Sequence, residues 1–152
     1  LTQVGELIAD HYFELDRDLF LSGLFLHDIG KILEIKSDFE RRYTDEGRFV
    51  GHIVLGRDII RDLVRNQLPE FPDDLLMQIE HIILSHQDEH AGEAGKRPAT
   101  VEALVVSMLD RLDTRIYQFL DTLKNDPNTG DWTFPTSAFP YPLYKSPENE
   151  SE

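Results

Sequence analysis

Apolar residues recur at three- and four-residue intervals along most of the chain, and this spacing predicts an all-α protein with about five main helices. The first helix opens at Leu1 with no capping residue before it, so we expect the chain to begin inside a helix. Asp16 or Asp18 can cap the second helix, because a short acidic side chain accepts hydrogen bonds from the first turn. The apolar face of this second helix extends to Leu33.

Three later helices are predicted from the same spacing. The first two are expected at about 49–67 and 73–86, and prolines between them end one helix and start the next. A long fifth helix is expected to start near Pro98, which suits a first helical turn, and to stop near Asn125. These five helices are expected to pack together as a helical bundle.

The remaining segments are polar or rich in proline. Residues 37–47 and 87–97 are predicted loops. From Trp132 onward, prolines alternate with aromatic residues, which favours an extended strap packed on the helices. We interpret the aromatic side chains of this strap as core cover rather than as a base-stacking platform. Residues 146–152 are expected to be disordered, and 1–145 to form a single domain.

The composition narrows the class of protein. A chain of 152 residues with 40% hydrophobic content can bury one sizeable core. The formal net charge of −14 opposes broad adhesion to nucleic acid or to an anionic membrane. The absence of cysteine excludes a thiolate metal site, so any metal must bind nitrogen and oxygen ligands. No membrane span or signal peptide is visible, and we expect a cytoplasmic protein.

A His-Asp doublet, His27 and Asp28, interrupts the apolar run SGLFLHDIGKIL. Burying an imidazole and a carboxylate is costly unless they pair or bind a metal. Neighbouring helical residues point about 100° apart. Both side chains can therefore bind one metal ion, or Asp28 can bridge two metal ions. The alternative is a buried histidine satisfied by its neighbour, but this apolar context favours a metal. Lys31 could present its ammonium to a phosphate or lie along the surface.

A second unexpected carboxylate, Asp110, stands where a core-facing helix would carry an apolar residue. Metal binding would explain it, and the alternatives are pairing with Arg111 or Arg115, or orientation toward solvent. Asp113 lies almost on the same helical face. We interpret it either as a residue that does not take part in metal binding or as one that orients a ligand without binding the metal.

Among the remaining histidines, His52 and His86 stand near predicted helix ends, where open ligand sites are commonly assembled. His81 lies five positions before His86 and about 140° around the helix, so the two cannot easily share one ion. We therefore rank His86 above His81. His11 and His90 have polar surroundings and are expected to be solvated.

These residues resemble the HD superfamily of metal-dependent phosphohydrolases, helical domains with an early His, the doublet, middle His residues and a late Asp. Here the doublet is His27-Asp28, the middle group is His52 with His86, and the late Asp is Asp110. The strings LFLHDIGKILEI, EGRFVGHI, IEHIILSHQ and RPATVEALVVSMLDRLDTR look most like the HD domain of YhaM-type 3′-5′ exoribonucleases. The resemblance spans almost the whole chain.

The resemblance implies phosphodiester hydrolysis of RNA or oligonucleotides from the 3′ end, assisted by one or two divalent ions. Manganese, iron, nickel, cobalt, zinc and magnesium all remain open as the metal. Asp28 and Lys31 would act in catalysis. YhaM-type proteins usually carry an oligonucleotide-binding barrel before the HD domain, so we expect such a module to deliver RNA to this acidic chain. Oligomer formation is left open. The implied metal ligands are His27, Asp28, His52, His86 and Asp110.

Two departures from the family pattern keep alternatives open. The early His is expected in a stretch resembling GGLLEHT just before Leu1, and Gln87 stands where relatives commonly have a second His. Glutamine is a poor metal ligand, which weakens the second site. The alternatives are a nucleotidase or other phosphomonoesterase with the same metal site, and a degenerate HD domain that binds nucleotide without turnover.

Overall fold

The computed structural model describes residues 1–36, 42–87 and 96–145, and helices dominate these ranges. The all-α class is thereby confirmed, with isolated β-bridges joining Ile35 to Tyr43 and Trp132 to Tyr144. No helix within the described ranges is both long and apolar enough to cross a membrane. The helices are α1 (Thr2–His11), α2 (Arg17–Leu26), α3 (Lys31–Glu34), α4 (Asp45–Phe49), α5 (His52–Gln67), α6 (Asp73–Ser85) and α7 (Val101–Asn125).

The chain divides into two compact units, Leu1–Asp110 and Arg111–Glu152. The core of the first unit is built from the apolar faces of α1, α2, α5, α6 and the first turns of α7. Phe20, Ile82 and Ile83 are fully buried in it. Each such side chain contributes roughly 1.5–3 kcal/mol relative to exposure.

Helix α2 is capped by Asp16 and is shorter than its apolar pattern predicts. The Asp16 side chain accepts a hydrogen bond from the backbone N–H of Leu19 at 3.0 Å, so Asp16 rather than Asp18 starts the helix. The prediction that this helix continues to Leu33 is wrong, because α2 ends at Leu26 and the chain turns before α3 begins at Lys31. Tight backbone bonds across three residues, such as Ile29 N–H to the Leu26 carbonyl, close this turn.

The segment before α5 also departs from the predicted boundaries. The short helix α4 lies within the predicted loop 37–47, of which 37–41 fall outside the described residues. Thr44 caps α4 by accepting a hydrogen bond from the backbone N–H of Gly47 at 2.8 Å. Helix α5 begins at His52 rather than at Phe49, because Gly51 adopts φ 79° and ψ 153°, a conformation nearly exclusive to glycine.

The later helices agree closely with their predicted bounds. Helix α5 ends at Gln67, α6 begins at Asp73 and α7 ends at Asn125. In the predicted loop 87–97, residues 88–95 fall outside the described part of the chain.

The second unit carries the extended tail. Thr133 donates its backbone N–H to the Leu143 carbonyl at 2.9 Å, and its hydroxyl accepts the Leu143 N–H at 2.9 Å. Phe139 is buried, as the core-cover interpretation requires. That interpretation is wrong for the other tail aromatics, each of which is about half exposed because the turns of the tail direct them outward; they are Trp132, Phe134, Tyr141 and Tyr144. The predicted disordered tail, 146–152, lies outside the described residues.

Candidate metal centre

The buried end of α2 carries the first half of the centre. His27 is the C-cap residue that follows the last residue of that helix, and it is only 6% exposed. Its Nδ1 lies 2.7 Å from the Leu24 carbonyl, which can only accept, so Nδ1 carries the proton. Nε2, the nitrogen left for a metal, then faces Asp28 Oδ2 at 3.4 Å and Asp110 Oδ1 at 3.6 Å. His27, Asp28 and Asp110 form the first cluster.

The second cluster uses the other oxygen of the same carboxylate. Asp28 Oδ1 lies 3.5 Å from His52 Nε2 and 3.7 Å from His86 Nε2. His86 Nδ1 donates to the Ile83 carbonyl at 2.8 Å, which leaves its Nε2 bare and directed at the carboxylate. In each cluster the ligand-type atoms lie within 4.8 Å of one another. Asp28 therefore stands between the two groups and belongs to both.

Three buried polar atoms at the centre have no hydrogen-bond partner among the described residues: His27 Nε2, Asp28 Oδ1 and His86 Nε2. Leaving such atoms unsatisfied costs roughly 1–3 kcal/mol each. Zinc bonds to nitrogen and oxygen of about 2.0–2.2 Å separate tetrahedral ligand atoms by roughly 3.4 Å, close to the distances within both clusters. A divalent cation in each cluster would satisfy all three atoms, so the residues fit a metal.

The electrostatics of the metal-free centre favour a proton where a cation would sit. Burial opposes charge on His27, but the carboxylates of Asp110 and Asp28 outweigh burial and raise its pKa to about 9. Burial likewise opposes charge on Asp28, yet His27 and Lys31 hold its pKa well below the usual range. Burial dominates at His86 and lowers its pKa. The carboxylates thus create a strongly negative pocket that attracts positive charge.

Lys31 reaches the centre from the first turn of α3. Its Nζ pairs with Asp28 Oδ2 at 2.5 Å, while its side chain stays 45% exposed. The ammonium is therefore both solvent-accessible and adjacent to the shared carboxylate. This is the arrangement that contact with a substrate phosphate would need.

The backbone of the doublet packs directly on α5. A Cβ on Gly30 would lie 1.9 Å from the His52 carbonyl oxygen and 2.5 Å from the Gly56 nitrogen. The turn that follows Asp28 can therefore approach α5 only because residue 30 has no side chain. This close contact fixes the distance between the doublet and His52.

One residue at the centre was not predicted from the sequence. Glu34, at the end of α3, is buried and accepts hydrogen bonds from both the backbone N–H and the Nδ1 of His52, at 3.0 and 3.1 Å. A signal existed: Glu34 stands two helical turns after His27 in an apolar run, so it shares a face with a candidate ligand. An isolated glutamate on a helix end is nonetheless common on protein surfaces.

The other expected residues divide between the centre and the surface. Gln87 Nε2 lies 3.3 Å from His52 Nε2, so this side chain borders the second cluster. His81 belongs to neither cluster, and its Nε2 accepts the backbone N–H of Ala99 at 2.8 Å. Asp113 is exposed on α7 and belongs to neither cluster. His11 is exposed on α1, as expected from its polar surroundings. His90 lies outside the described residues.

Comparison with known proteins identifies relatives that are named 3′-5′ exoribonuclease YhaM. The 3′-5′ exoribonuclease YhaM of Bacillus licheniformis is 31% identical over 134 residues, which cover 88% of this chain and 41% of that protein. The YhaM of Bacillus subtilis is 30% identical over 135 residues, with 88% and 41% coverage. The YhaM of Shouchella clausii is 30% identical over 116 residues, with 76% and 36% coverage. The chain thus spans about two fifths of the length of these relatives.

The family comparison covers the whole centre. No solved structure matches the chain. The sequence pattern of the HD domain family matches residues 1–115, a range that includes both clusters and Lys31. HD domains depend on a metal, and the histidine and aspartate groups described here are positioned to hold one. The chain therefore belongs to the HD domain family.

Proposed function

We propose that this chain is the catalytic domain of a metal-dependent phosphodiesterase that removes nucleotides from the 3′ end of RNA. The observation that carries the proposal is Asp28, whose two oxygens face two separate groups of ligand-type atoms. The similarity to YhaM exoribonucleases supports RNA as the substrate. HD family membership supports the broader assignment, a metal-dependent phosphohydrolase.

The metal ligands in this proposal are His27, Asp28 and Asp110 for one ion, and Asp28, His52 and His86 for the other. When bound, divalent ions would activate water and neutralise charge on the phosphoryl oxygens. The bare Nε2 atoms provide nitrogen ligands whose protons are held on the far side of each ring. Because no thiolate is present, nickel, cobalt, manganese, iron, zinc and magnesium all suit this donor set to different degrees.

Lys31 is the cation that the chain itself contributes. Its ammonium lies against Asp28 and is open to solvent, so it can pair with a phosphate oxygen of a bound substrate. We propose that it positions the scissile phosphate and offsets the charge that develops there. The positive charge of Lys31 lies at the centre itself, so it can pair with a phosphate although the net charge of the chain is −14.

RNA capture by so acidic a chain needs help from elsewhere. A polyanion is normally gathered by a lysine and arginine surface, and this chain has 15 basic against 29 acidic residues. We propose that an oligonucleotide-binding module in the full-length protein supplies the affinity, while this domain supplies the hydrolysis. The chain spans only about two fifths of its relatives, which leaves ample length for such a module.

Product analysis tests the proposal. The chain is stripped of metal, loaded with Mn²⁺, and incubated with a 5′-labelled single-stranded oligoribonucleotide or with a nucleoside monophosphate. We expect a ladder shortened from the 3′ end and release of nucleoside monophosphates. Asp28→Asn should abolish both, whereas Glu102→Gln, a buried carboxylate distant in sequence from the doublet, should not. Phosphate release from the monophosphate alone would favour the phosphomonoesterase, and metal binding without any product would favour the non-catalytic domain.

A further inference from the structure

We infer that Glu34 is a positioning residue, which fixes the orientation and tautomer of His52 and thereby sets the affinity of the second metal cluster. The inference rests on the proposed metal-dependent function. It assigns a role to a carboxylate that is neither a member of either ligand cluster nor close enough in sequence to His52 to be an ordinary helix cap.

One carboxylate oxygen holds His52 at two points. Glu34 Oε1 accepts the backbone N–H of His52 at 3.0 Å and the ring Nδ1 at 3.1 Å. Helix α5 begins at His52 after Gly51, which has no side chain to cap it. Glu34 therefore satisfies an otherwise open N–H in the first turn of α5 and orients the ring of the same residue.

The donor at the ring must be Nδ1–H, because a carboxylate oxygen accepts. Nε2 is then bare, and it faces Asp28 Oδ1 at 3.5 Å. The amide of Gln87 lies 3.3 Å from that same Nε2 and can donate to it, as the bare nitrogen allows. Both contacts on the Nε2 side agree with the tautomer that Glu34 selects.

Glu34 differs from the groups that orient the other two histidines. His27 and His86 donate their Nδ1 protons to the backbone carbonyls of Leu24 and Ile83. His52 alone among the three donates to a carboxylate, which carries a full negative charge and makes the opposite nitrogen a stronger donor to a cation. The second cluster therefore contains one histidine whose ring is oriented by a carboxylate rather than by a backbone carbonyl.

The surroundings hold Glu34 rigidly in this position. Its carbonyl accepts the backbone N–H of Thr44 at 2.9 Å, and Thr44 in turn caps α4. A Cβ on Gly47 would lie 2.9 Å from Glu34 Cγ and 2.5 Å from its carbonyl oxygen, so α4 packs on this residue without a gap. Glu34 is only 7% exposed. A side chain held this tightly can impose an orientation on its partner.

The test compares Glu34→Gln and Glu34→Ala with the wild-type chain and with Glu102→Gln. Glu102 is a matched control: it is also 7% exposed and also accepts a backbone N–H, from Asp16 at 3.1 Å, but it belongs to neither cluster. The ring tautomers are read from ¹⁵N chemical shifts of the metal-free protein. Affinity for each of two Mn²⁺ ions is measured by titration calorimetry.

We expect His52 in the wild-type chain to carry its proton on Nδ1 and to lose this preference in Glu34→Ala, while His86 keeps its own preference. The weaker of the two Mn²⁺ sites should lose about 10 to 100-fold in affinity, the range typical for loss of a group that orients a ligand. Glu34→Gln retains an acceptor oxygen without the charge, so it should keep the tautomer and lose less affinity. Glu102→Gln should change neither quantity.

The outcomes separate this inference from the proposed function. The positioning role is overturned if the His52 tautomer is unchanged in Glu34→Ala, even if the chain hydrolyses RNA. It is also overturned if the Mn²⁺ affinity is unchanged in both Glu34 variants. Absence of RNA hydrolysis in the wild-type chain overturns the proposed function, while the tautomer and affinity measurements still decide the role of Glu34. If Glu34→Ala does not fold, Glu34→Gln supplies the affinity comparison.

Discussion

Asp110 Oδ1 lies 3.6 Å from Nε2 of His27, although one residue belongs to α7 and the other ends α2. Neither atom is at hydrogen-bonding distance from the other, and His27 Nε2 has no hydrogen-bond partner among the described residues. The pair therefore leaves room for a cation between them. This spacing suits a metal centre better than a simple buried ion pair, in which the two atoms would close to about 2.7–2.9 Å.

Asp110→Asn should remove one ion and leave the other. Asp110 belongs to the first cluster only, so the second cluster keeps all of its ligand-type atoms. Elemental analysis of the dialysed protein should fall from two ions per chain to one. Asp113→Asn, an exposed change one helical turn away, serves as the control and should retain both ions. Loss of both ions, or of none, would contradict the division into two clusters.

Asp28→Ala should remove both ions and all hydrolysis. Asp28 is the one residue shared by the two clusters. The fold should persist, because Asp28 is not part of the apolar core of the first unit, and its pair with the half-exposed Lys31 contributes only about 0–1 kcal/mol. Circular dichroism checks the helical content, and elemental analysis with an oligonucleotide assay checks the centre. Two ions and wild-type turnover in this variant would exclude Asp28 as the bridging ligand.

The sequence alone predicts the all-α class and the bounds of the long helices, because their apolar faces repeat over several turns. It also singles out the five residues that the structure brings together, since each is a polar residue in an apolar helix or at a helix end. They are His27, Asp28, His52, His86 and Asp110. Their ligand roles stay predictions.

Local geometry between the long helices is not predictable from this pattern. The turn that follows Leu26 brings the backbone of Gly30 against the His52 carbonyl, a contact that only the folded chain reveals. Glu34 was missed for a related reason: its significance comes from a partner 18 residues later. Tail exposure likewise depends on turns, since Trp132 and Phe139 read alike as aromatic residues yet differ completely in burial.

Gly30→Ala should destabilise the protein and disturb the centre. The added Cβ would lie 1.9 Å from the His52 carbonyl oxygen, a backbone atom that cannot rotate away. Overpacking of this kind typically costs about 1–3 kcal/mol. Urea denaturation measures the change in the free energy of unfolding, and Mn²⁺ titration measures the effect on the centre.

The control for this variant is Gly130→Ala. A Cβ at Gly130 would meet only the Asn128 side chain, at 3.7 Å, and the backbone there has no positive φ. Its effect should stay within about 0.5 kcal/mol. Equal stability of the two variants would mean that α5 and the turn after Asp28 can move apart freely.

The hydrogen bond from Ala99 N–H to His81 Nε2 should make stability fall in mild acid. Burial and the nearby Lys96 ammonium lower the pKa of His81 below its ordinary value of 6.5. The unfolded chain therefore takes up a proton on this ring at a higher pH than the folded chain does. The stability that the neutral His81 ring contributes is fully present above pH 6.5. It declines as the pH falls from there toward the lowered pKa of the folded state.

His81→Gln removes this titration, so the comparison between variant and wild type isolates it from the other histidines. Urea denaturation in EDTA at pH 7.5 and pH 5.5 gives the free energy of unfolding of both proteins. The wild-type chain should lose more stability than His81→Gln on acidification, because only a ring that takes up a proton loses the Ala99 bond. The Ala99 amide should also lose hydrogen-exchange protection in the wild-type chain over the same interval. Identical pH dependence in the two proteins would show that His81 titrates alike in the folded and unfolded chains, and that its bond to Ala99 contributes no pH-dependent stability.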